Sequence, residues 1–407
     1  MINNEYRIAY DILMKVYRDG TYLHLIMKEN RNKKVSKLVY GVLEHYYELN
    51  YIINDLADKG VKNNVKPLIS VALYALMYLK TPINVVLNDT KEALESLGKS
   101  ALNGFISAVI KKTARAEYKL PAKNDKNYTE VKYNLPSWLV GMYKKDYPEN
   151  FEDIIGAKEY PYVHIRLNEN TAEEEIYKAD KNAKKTLTGF FVTNNKEIEL
   201  LNFFGKITYM SYCSTLIAES IKAKKGMKIL DACAAPGGKS VMMAQTKASV
   251  TSCDVHEHRV ELLHSYADRM KVGMEIFKQD ATVYLHKWAN KYDVVLADVP
   301  CSGFGVTDKK RDVIFNRTYE DIVKLTNVQY EILQNVKRYV KNGGLLVYST
   351  CTIFKKENGD IIRKFLSENE DFKMEKIDLP YENDGEIQFL PDGKGMEGFY
   401  LCHLRKN

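Results

Sequence analysis

Two cysteines stand where a thiol could do chemistry. Cys301 lies in Asp298-Val-Pro-Cys301-Ser-Gly303 and Cys351 in Tyr348-Ser-Thr-Cys351-Thr352. Each follows a short apolar run of strand length, Tyr292 to Ala297 and Leu345 to Ser349. Side chains that leave the carboxyl ends of adjacent parallel strands face one crevice. A thiolate is the best nucleophile among the side chains, and a low-pKa setting sharpens it. Asp298 adds a carboxyl for moving protons. Two small buried residues would be the plain alternative, but the shared edge and Asp298 favour chemistry. Cys213, Cys253 and Cys402 lack such a setting and read as core residues. No C-x-x-C pair occurs, so no metal site is expected.

A second constellation sits upstream, in Asp231-Ala-Cys233-Ala234-Ala235-Pro236-Gly237-Gly238-Lys239. It joins a short strand to a helix, and its glycines let a ligand approach the backbone. It matches neither the dinucleotide fingerprint nor the P-loop. Asp254 ends the next strand, 23 residues after Asp231, where a carboxylate can accept from ribose hydroxyls. Asp280 ends the third strand and could hold a purine amino group. Any one strand-end aspartate could instead be a helix cap or turn residue. Three in register with a Gly-Gly loop favour a nucleoside cofactor.

The elements that must position these groups follow from periodicity. From residue 226 strands and helices alternate, which implies a parallel, doubly wound sheet. Gly343 and Gly344 are expected to turn the chain into the strand that carries Cys351. Residues 1–115 read as a bundle of five to seven helices. Ile8, Ile12, Leu13 and Val16 share one helical face, and Val35, Leu38, Val39 and Val42 another. A polar connector spans 116–135, and 136–210 reads as a small α+β module without chemistry. The expected domains are 1–120, 121–210 and 211–407.

Charge is uneven along these segments. Of a net +7, residues 1–130 carry +6, 131–210 carry −1 and 211–407 carry +2. The cluster Arg31, Lys33, Lys34 and Lys37 opens one helix. Such an excess suits a phosphate-rich partner or a solvated helical surface. Lys111, Lys112 and Arg115 close another helix, where cations also suit the dipole. With 407 residues, 45% hydrophobic and 28% charged, wholesale disorder is excluded. No uncharged run exceeds 13 residues, the length from Pro67 to Leu79, which is too short to span a membrane. No signal-peptide core opens the chain, and a cytoplasmic protein is expected.

These residues carry a resemblance. The stretch from about 205 to 407 resembles the RNA cytosine-C5 methyltransferase family. The matching elements are Ala234 to Lys239, Asp298-x-Pro-Cys301-Ser-Gly303, Thr350-Cys351, Glu357-Asn358 and Gly398-Phe-Tyr400. Residues 1–115 resemble the NusB-like RNA-binding domain through Arg7, Ala9, Leu13, Leu38, Val39, Gly41 and the 76–79 region. The pairing resembles the branch that acts on bacterial small-subunit (16S) ribosomal RNA.

The resemblance implies an all-α NusB-like bundle, a small α+β module and an α/β Rossmann-like class I methyltransferase domain. It implies methyl transfer from S-adenosylmethionine to C5 of a cytosine in ribosomal RNA, by a cytoplasmic monomer. Cys233, Ala234, Ala235, Pro236, Gly237, Gly238 and Lys239 would hold the methionine moiety, Asp254 the ribose and Asp280 the adenine side. Asp298 would lie between cofactor and base, as the acid near N3. Cys351 would add to C6 and Cys301 would help release the product. Three departures stand out: Met210-Ser211 in place of Gln-Asp or Gln-Glu, Arg311 where proline is usual, and Glu397-Gly398-Phe399 in place of Asp-Gly-Phe. They bear on fine substrate positioning.

Other readings are a DNA cytosine-C5 methyltransferase, a methyltransferase for another RNA, and a non-catalytic NusB-like RNA-binding or antitermination factor. In the DNA enzymes the Pro-Cys thiol is the nucleophile, so Thr350-Cys351 and the helical front favour RNA. Intact Gly237, Gly238, Lys239 and both thiols argue against a decayed enzyme. Amino-group methylation lacks its Pro-Pro-aromatic pattern.

Overall fold

Among the described residues of the computed structural model, apolar residues at helical spacing build seven α-helices between positions 5 and 114. They are α1 (Glu5–Asp19), α2 (Leu23–Met27), α3 (Lys33–Glu44), α4 (Tyr46–Leu56), α5 (Lys66–Met77), α6 (Ile83–Ser96) and α7 (Asn103–Ala114). The structure describes residues 4–27, 30, 32–57, 60–157, 160–169, 171–307 and 311–407. Arg31 of the basic cluster lies outside them; Lys33, Lys34 and Lys37 are exposed on α3.

Local chemistry starts and stops these helices. The Asn4 side chain accepts from Arg7 N ahead of α1, and Asn32 accepts from Lys34 N and Val35 N ahead of α3. Gly20, at φ 63°, closes α1 in a left-handed turn. The long uncharged run becomes α5, with Leu68, Ile69, Val71, Ala72 and Leu73 buried. It is a core helix, hydrophobic all round.

The first compact unit runs past residue 120. It comprises Met1–Phe151 together with Thr307–Arg317. The polar connector holds α8 (Tyr128–Tyr133), followed by α9 (Ser137–Asp146). Tyr47 N donates to Asn134 Oδ1 at 2.8 Å and Lys119 N to Asp55 Oδ2 at 3.0 Å, which binds the connector to α4. The late segment is equally anchored. Asp312 is buried and its Oδ2 accepts from Leu23 N at 3.0 Å. Phe315 packs edge-on against Tyr17 and Tyr46, with ring centroids 5.5 and 4.8 Å apart.

The second unit comprises Glu152–Val306 and Thr318–Asn407. After α10 (Phe151–Gly156), an antiparallel sheet in the order β2-β3-β1-β4 forms from β1 (Val163–Leu167), β2 (Lys184–Lys185), β3 (Phe190–Val192) and β4 (Ile207–Tyr209). Helices α11 (Glu173–Ala179) and α12 (Lys196–Phe203) complete the module. It shares its unit with the larger sheet. Asn168 Nδ2 donates to Met270 O at 3.0 Å, Thr188 Oγ1 and Thr215 Oγ1 lie 2.6 Å apart, and Arg166 bonds Gln245.

The larger sheet follows α13 (Tyr212–Ser220). Its elements are β5 (Lys228–Asp231), α14 (Gly238–Gln245), β6 (Ser249–Asp254), α15 (Glu257–Met270), β7 (Glu275–Lys278), β8 (Tyr292–Asp298), α16 (Tyr319–Val336), β9 (Val340–Thr350), α17 (Gly359–Glu368), β10 (Phe372–Met374), β11 (Glu386–Phe389) and β12 (Phe399–Lys406). The strand order is β10-β12-β9-β8-β5-β6-β7, with β11 on β12. Strands β9, β8, β5, β6 and β7 are parallel, whereas β12 runs antiparallel to β9, β10 and β11. The sheet is therefore mixed rather than wholly parallel. Gly343 and Gly344 also depart from expectation, because they lie inside β9. Pairing jumps from Tyr292↔Val340 to Val294↔Leu345, so they form a bulge instead of a turn.

Candidate active site

The register of the parallel strands decides what meets at their carboxyl edge. Asp298 pairs with Ser349, so Cys301 and Cys351 leave neighbouring strands at nearly the same height. Their sulfurs lie 2.9 Å apart as free thiols, and Cys351 N donates to Cys301 Sγ at 3.2 Å. The hydrogen bond with Cys351, and then burial, push the Cys301 thiol well above its ordinary range. The Cys351 loop is braced by a backbone crossing. Gly305 N donates to Cys351 O at 3.1 Å and Gly398 N to Gly305 O at 2.7 Å. A Cβ on Gly305 would stand 1.8 Å from Gly398 O, so neither chain can carry a side chain there.

Asp298 is held on both oxygens. Lys239 Nζ donates to Oδ2 at 2.7 Å and Ser349 Oγ to Oδ1 at 2.6 Å. Burial works against the Lys239 ammonium, but the charge and hydrogen bond of Asp298, then Asp231, outweigh it and raise its pKa. Cys351 adds to the same effect, which ties the thiol electrostatically to the ion pair. Asp298 is thus ion-paired with Lys239.

The glycine loop has the geometry of a cradle. Gly237 sits at φ 113°, and a Cβ there would press on Leu263 and Tyr266 at 3.0 and 3.1 Å. Ala234 N donates to Cys253 O at 2.7 Å and Arg259 Nη2 to Ala235 O at 3.0 Å, fixing the loop from both sides. The Ala235-Pro236 bond is cis. Cys233 lies within this loop, its thiol raised by burial and then by the carboxylates around it.

Two carboxylates at this edge keep an oxygen buried without a hydrogen bond. Asp231 Oδ2 accepts from Ser240 Oγ at 2.7 Å, but Oδ1 has no partner. Asp254 Oδ1 accepts from His256 N at 3.2 Å, while Oδ2 lies 3.2 Å from Arg259 Nη1 without hydrogen-bond geometry. Buried acceptors left open in this way suit a ligand that brings donors, such as ribose hydroxyls and an amino group. Asp280 stands apart from the others. It is exposed beyond β7, its Oδ1 taken by Thr282 N and Oγ1 at 2.8 and 2.7 Å, and it lines a small cavity with Ala232, Cys253 and Trp288.

Burial raises the Asp231 carboxyl from 3.8 to about 7. The unfolded chain loses that proton near 3.8 and the folded one near 7, so folding stability falls as pH rises through this window. Asp231→Asn removes the titration. The variant is expected to gain on the parent between pH 4 and 7, by at most about 4 kcal/mol. Chemical denaturation of cofactor-free protein at pH 5 and pH 8 checks this; an equal difference at both would count against it.

Several residues of the site escaped sequence reasoning. Glu357 is fully buried, accepting from Ser302 N at 2.8 Å, Ser302 Oγ at 2.5 Å and Gln329 Nε2 at 3.0 Å. Such bonds are worth roughly 1.5–3 kcal/mol each, while taking a carboxylate out of water costs several kcal/mol. Burial outweighs the bonds, and the Glu357 carboxyl is raised. Ser349 and Arg259 were likewise missed, since nothing in their spacing marks them. Of the departures, Met210 is buried with its sulfur near Gly238, and Ser211 caps α13. Glu397 Oε2 accepts from Cys213 N, and Arg311 lies in the first unit. Among the described residues no group of His, Cys, Asp and Glu is placed to hold a metal ion, and no helix is long and apolar enough to cross a membrane.

Comparison with known proteins bears on this geometry. The family described as 16S rRNA methyltransferase RsmB/F matches residues 216–405, and the NusB family matches residues 4–115. A Bacillus subtilis (strain 168) protein, "Probable ribosomal RNA small subunit methyltransferase B", is 31% identical and the match covers 98% of each chain. The ribosomal RNA small subunit methyltransferase B of Proteus mirabilis (strain HI4320) is 32% identical, over 91% of this chain and 90% of that one. The crystal structure of PH0851 shares the fold, with a TM-score of 0.84 at 22% identity, over 100% of this chain and 99% of the other.

Proposed function

Because the chain belongs to the ribosomal RNA small subunit methyltransferase B family, whose cofactor is S-adenosylmethionine, we propose that it methylates C5 of a cytosine in 16S ribosomal RNA through a covalent adduct. The observation that carries this reading is the pair of thiols 2.9 Å apart beside the Lys239–Asp298 ion pair. A single nucleophile would suffice for addition. A second thiol in contact with it suits an enzyme that must also break the bond it makes.

C5 of cytosine is a poor nucleophile until C6 is attacked. Cys351 gives up its thiol proton to solvent, its sulfur forms the C6–S bond, the C5=C6 electrons move through the ring, and N3 takes up a proton. The Lys239–Asp298 pair supplies that proton from the lysine, whose ammonium the aspartate keeps charged. The resulting enamine carries its electron density at C5. The cofactor supplies a methyl group on a sulfonium, and the open acceptors of Asp231 and Asp254 with the 233–239 loop would hold it.

Release then needs three proton movements, the first being return of the N3 proton to Lys239. The C5–H bond breaks, its electrons re-form C5=C6, and the C6–S pair returns to Cys351. Cys301 takes the C5 proton while its own proton passes to the departing Cys351 sulfur, so both thiols end protonated. The raised affinity of Cys301 for its proton fits a group that acts only as this exchange occurs.

In this reading residues 1–120 dock the RNA, with Lys33, Lys34 and Lys37 on an exposed helix face, and 211–407 carry the chemistry. The target base must leave any stack to meet the thiol on its face. In this reading the protein acts as a cytoplasmic monomer. Bisulfite sequencing of 16S ribosomal RNA from cells with and without the gene tests the substrate. One protected cytosine should become convertible when the gene is absent. Identical patterns in both strains would refute the reading.

A further inference from the structure

Cys301 is the middle residue of a three-residue segment, and both of its neighbours are tied to one buried carboxyl system. Pro300 O accepts from Gln329 Nε2 at 2.9 Å, and the same Nε2 donates to Glu357 Oε1. Ser302 N donates to Oε1, and Ser302 Oγ to Oε2. Ser302 Oγ also reaches Thr352 Oγ1 at 3.0 Å, directly after Cys351. Glu357 is itself fixed at its backbone, where Tyr348 OH donates to Glu357 O at 2.6 Å from the strand that carries Cys351. Glu357, Gln329, Ser302 and Thr352 are all fully or almost fully buried. The carboxyl therefore joins the loop after β8 to the loop after β9 and to α16, and the two thiols lie where those loops meet.

We propose that Glu357 is a positioning residue that sets the Cys301 thiol against Cys351 and thereby governs how fast the covalent RNA adduct is released. The inference rests on the release role proposed for Cys301. Glu357 does not touch the reacting atoms. It acts by holding Ser302, and its negative charge also disfavours ionisation of Cys301. The proton exchange between the thiols needs Cys301 close to Cys351 and protonated until the C6–S bond breaks. Loss of the clamp affects both conditions, whereas addition of Cys351 to C6 uses neither.

Glu357→Gln keeps the shape of the side chain and removes its charge and one acceptor. Two measurements on the full-length protein test the proposal. The first is the pH profile of iodoacetamide alkylation at Cys301, read by peptide mapping without RNA or cofactor. Glu357→Gln should alkylate about tenfold faster at pH 8, the effect of one unit in thiol pKa. The second is single turnover with RNA and S-adenosylmethionine, read on a denaturing gel. Adduct should form within about twofold of the parent rate and decay about tenfold more slowly, as befits a misplaced group.

Ser302→Ala removes one of the two Ser302 donors and should shift both readouts in the same direction by less. It serves if Glu357→Gln does not fold. Unchanged alkylation at Cys301 in the folded variants would overturn the clamp. Altered alkylation with unaltered adduct decay would overturn its control of release. Loss of the Cys301 release role itself has a separate signature, because Cys301→Ala would then leave no adduct while the Glu357→Gln alkylation shift persisted.

Discussion

Cys351→Ala is expected to lower methyl transfer to RNA by about a thousandfold or more while cofactor affinity stays within about twofold. The two effects separate because the thiol serves only the base. In the proposed reading the cofactor cradle is made by the 233–239 loop, Asp231 and Asp254 at the ends of β5 and β6, whereas Cys351 follows β9. Its removal subtracts a small, half-buried side chain, and the backbone of its loop stays pinned by Gly305 and Gly398. No covalent adduct should form at any time point. Calorimetry with S-adenosylmethionine and a methyl-acceptor assay measure the two quantities. Turnover close to that of the parent would place the nucleophile elsewhere, with Cys301 the first candidate.

Cys301→Ala should give the opposite gel. Addition and methylation proceed, the exchange of protons at release fails, and RNA accumulates on the protein as a slow-migrating band. Steady-state turnover falls by about a hundredfold or more, the usual contribution of a positioned acid–base group. Proteinase treatment should abolish the band and mapping should place the RNA on Cys351. The double variant Cys301→Ala with Cys351→Ala should show none. An adduct absent from Cys301→Ala would leave the second thiol without a part in release.

How much of this was legible beforehand varies with how local the cause is. The strand-end aspartates, the glycine loop and both thiols were visible because each follows a short apolar run, and period and length suffice to place a strand end. The pairing of Asp298 with Lys239 was not, since it joins the first turn of α14 to the end of β8, 59 residues apart. Glu357 was quoted only as part of a motif. In Lys355-Lys356-Glu357 it looks like a solvated charge, and its burial depends on Ser302 and Gln329, which are distant in sequence. Gly343 and Gly344 read as a turn in sequence because a bulge and a turn use the same residue type.

The division of the chain was the least legible feature. The expected boundaries at 120 and 210 follow the end of the helical periodicity and the onset of alternating strands and helices. The contacts instead divide the chain at Phe151, and the module between them shares the larger sheet's unit through Arg166, Asn168 and Thr188. No periodicity announces that Thr307–Arg317 belongs with the helices 156 residues before it.

That late segment has a consequence for synthesis on the ribosome. The helical unit leaves the exit tunnel first, yet its Leu23 N–H has no Asp312 carboxylate to meet, and Tyr17 and Tyr46 have no Phe315 ring against them. At ~5–20 residues per second the missing piece follows the rest by roughly 8–30 seconds. Through that interval the nascent bundle carries an open slot, and the arrival of Thr307–Arg317 closes it only after most of the second unit has emerged.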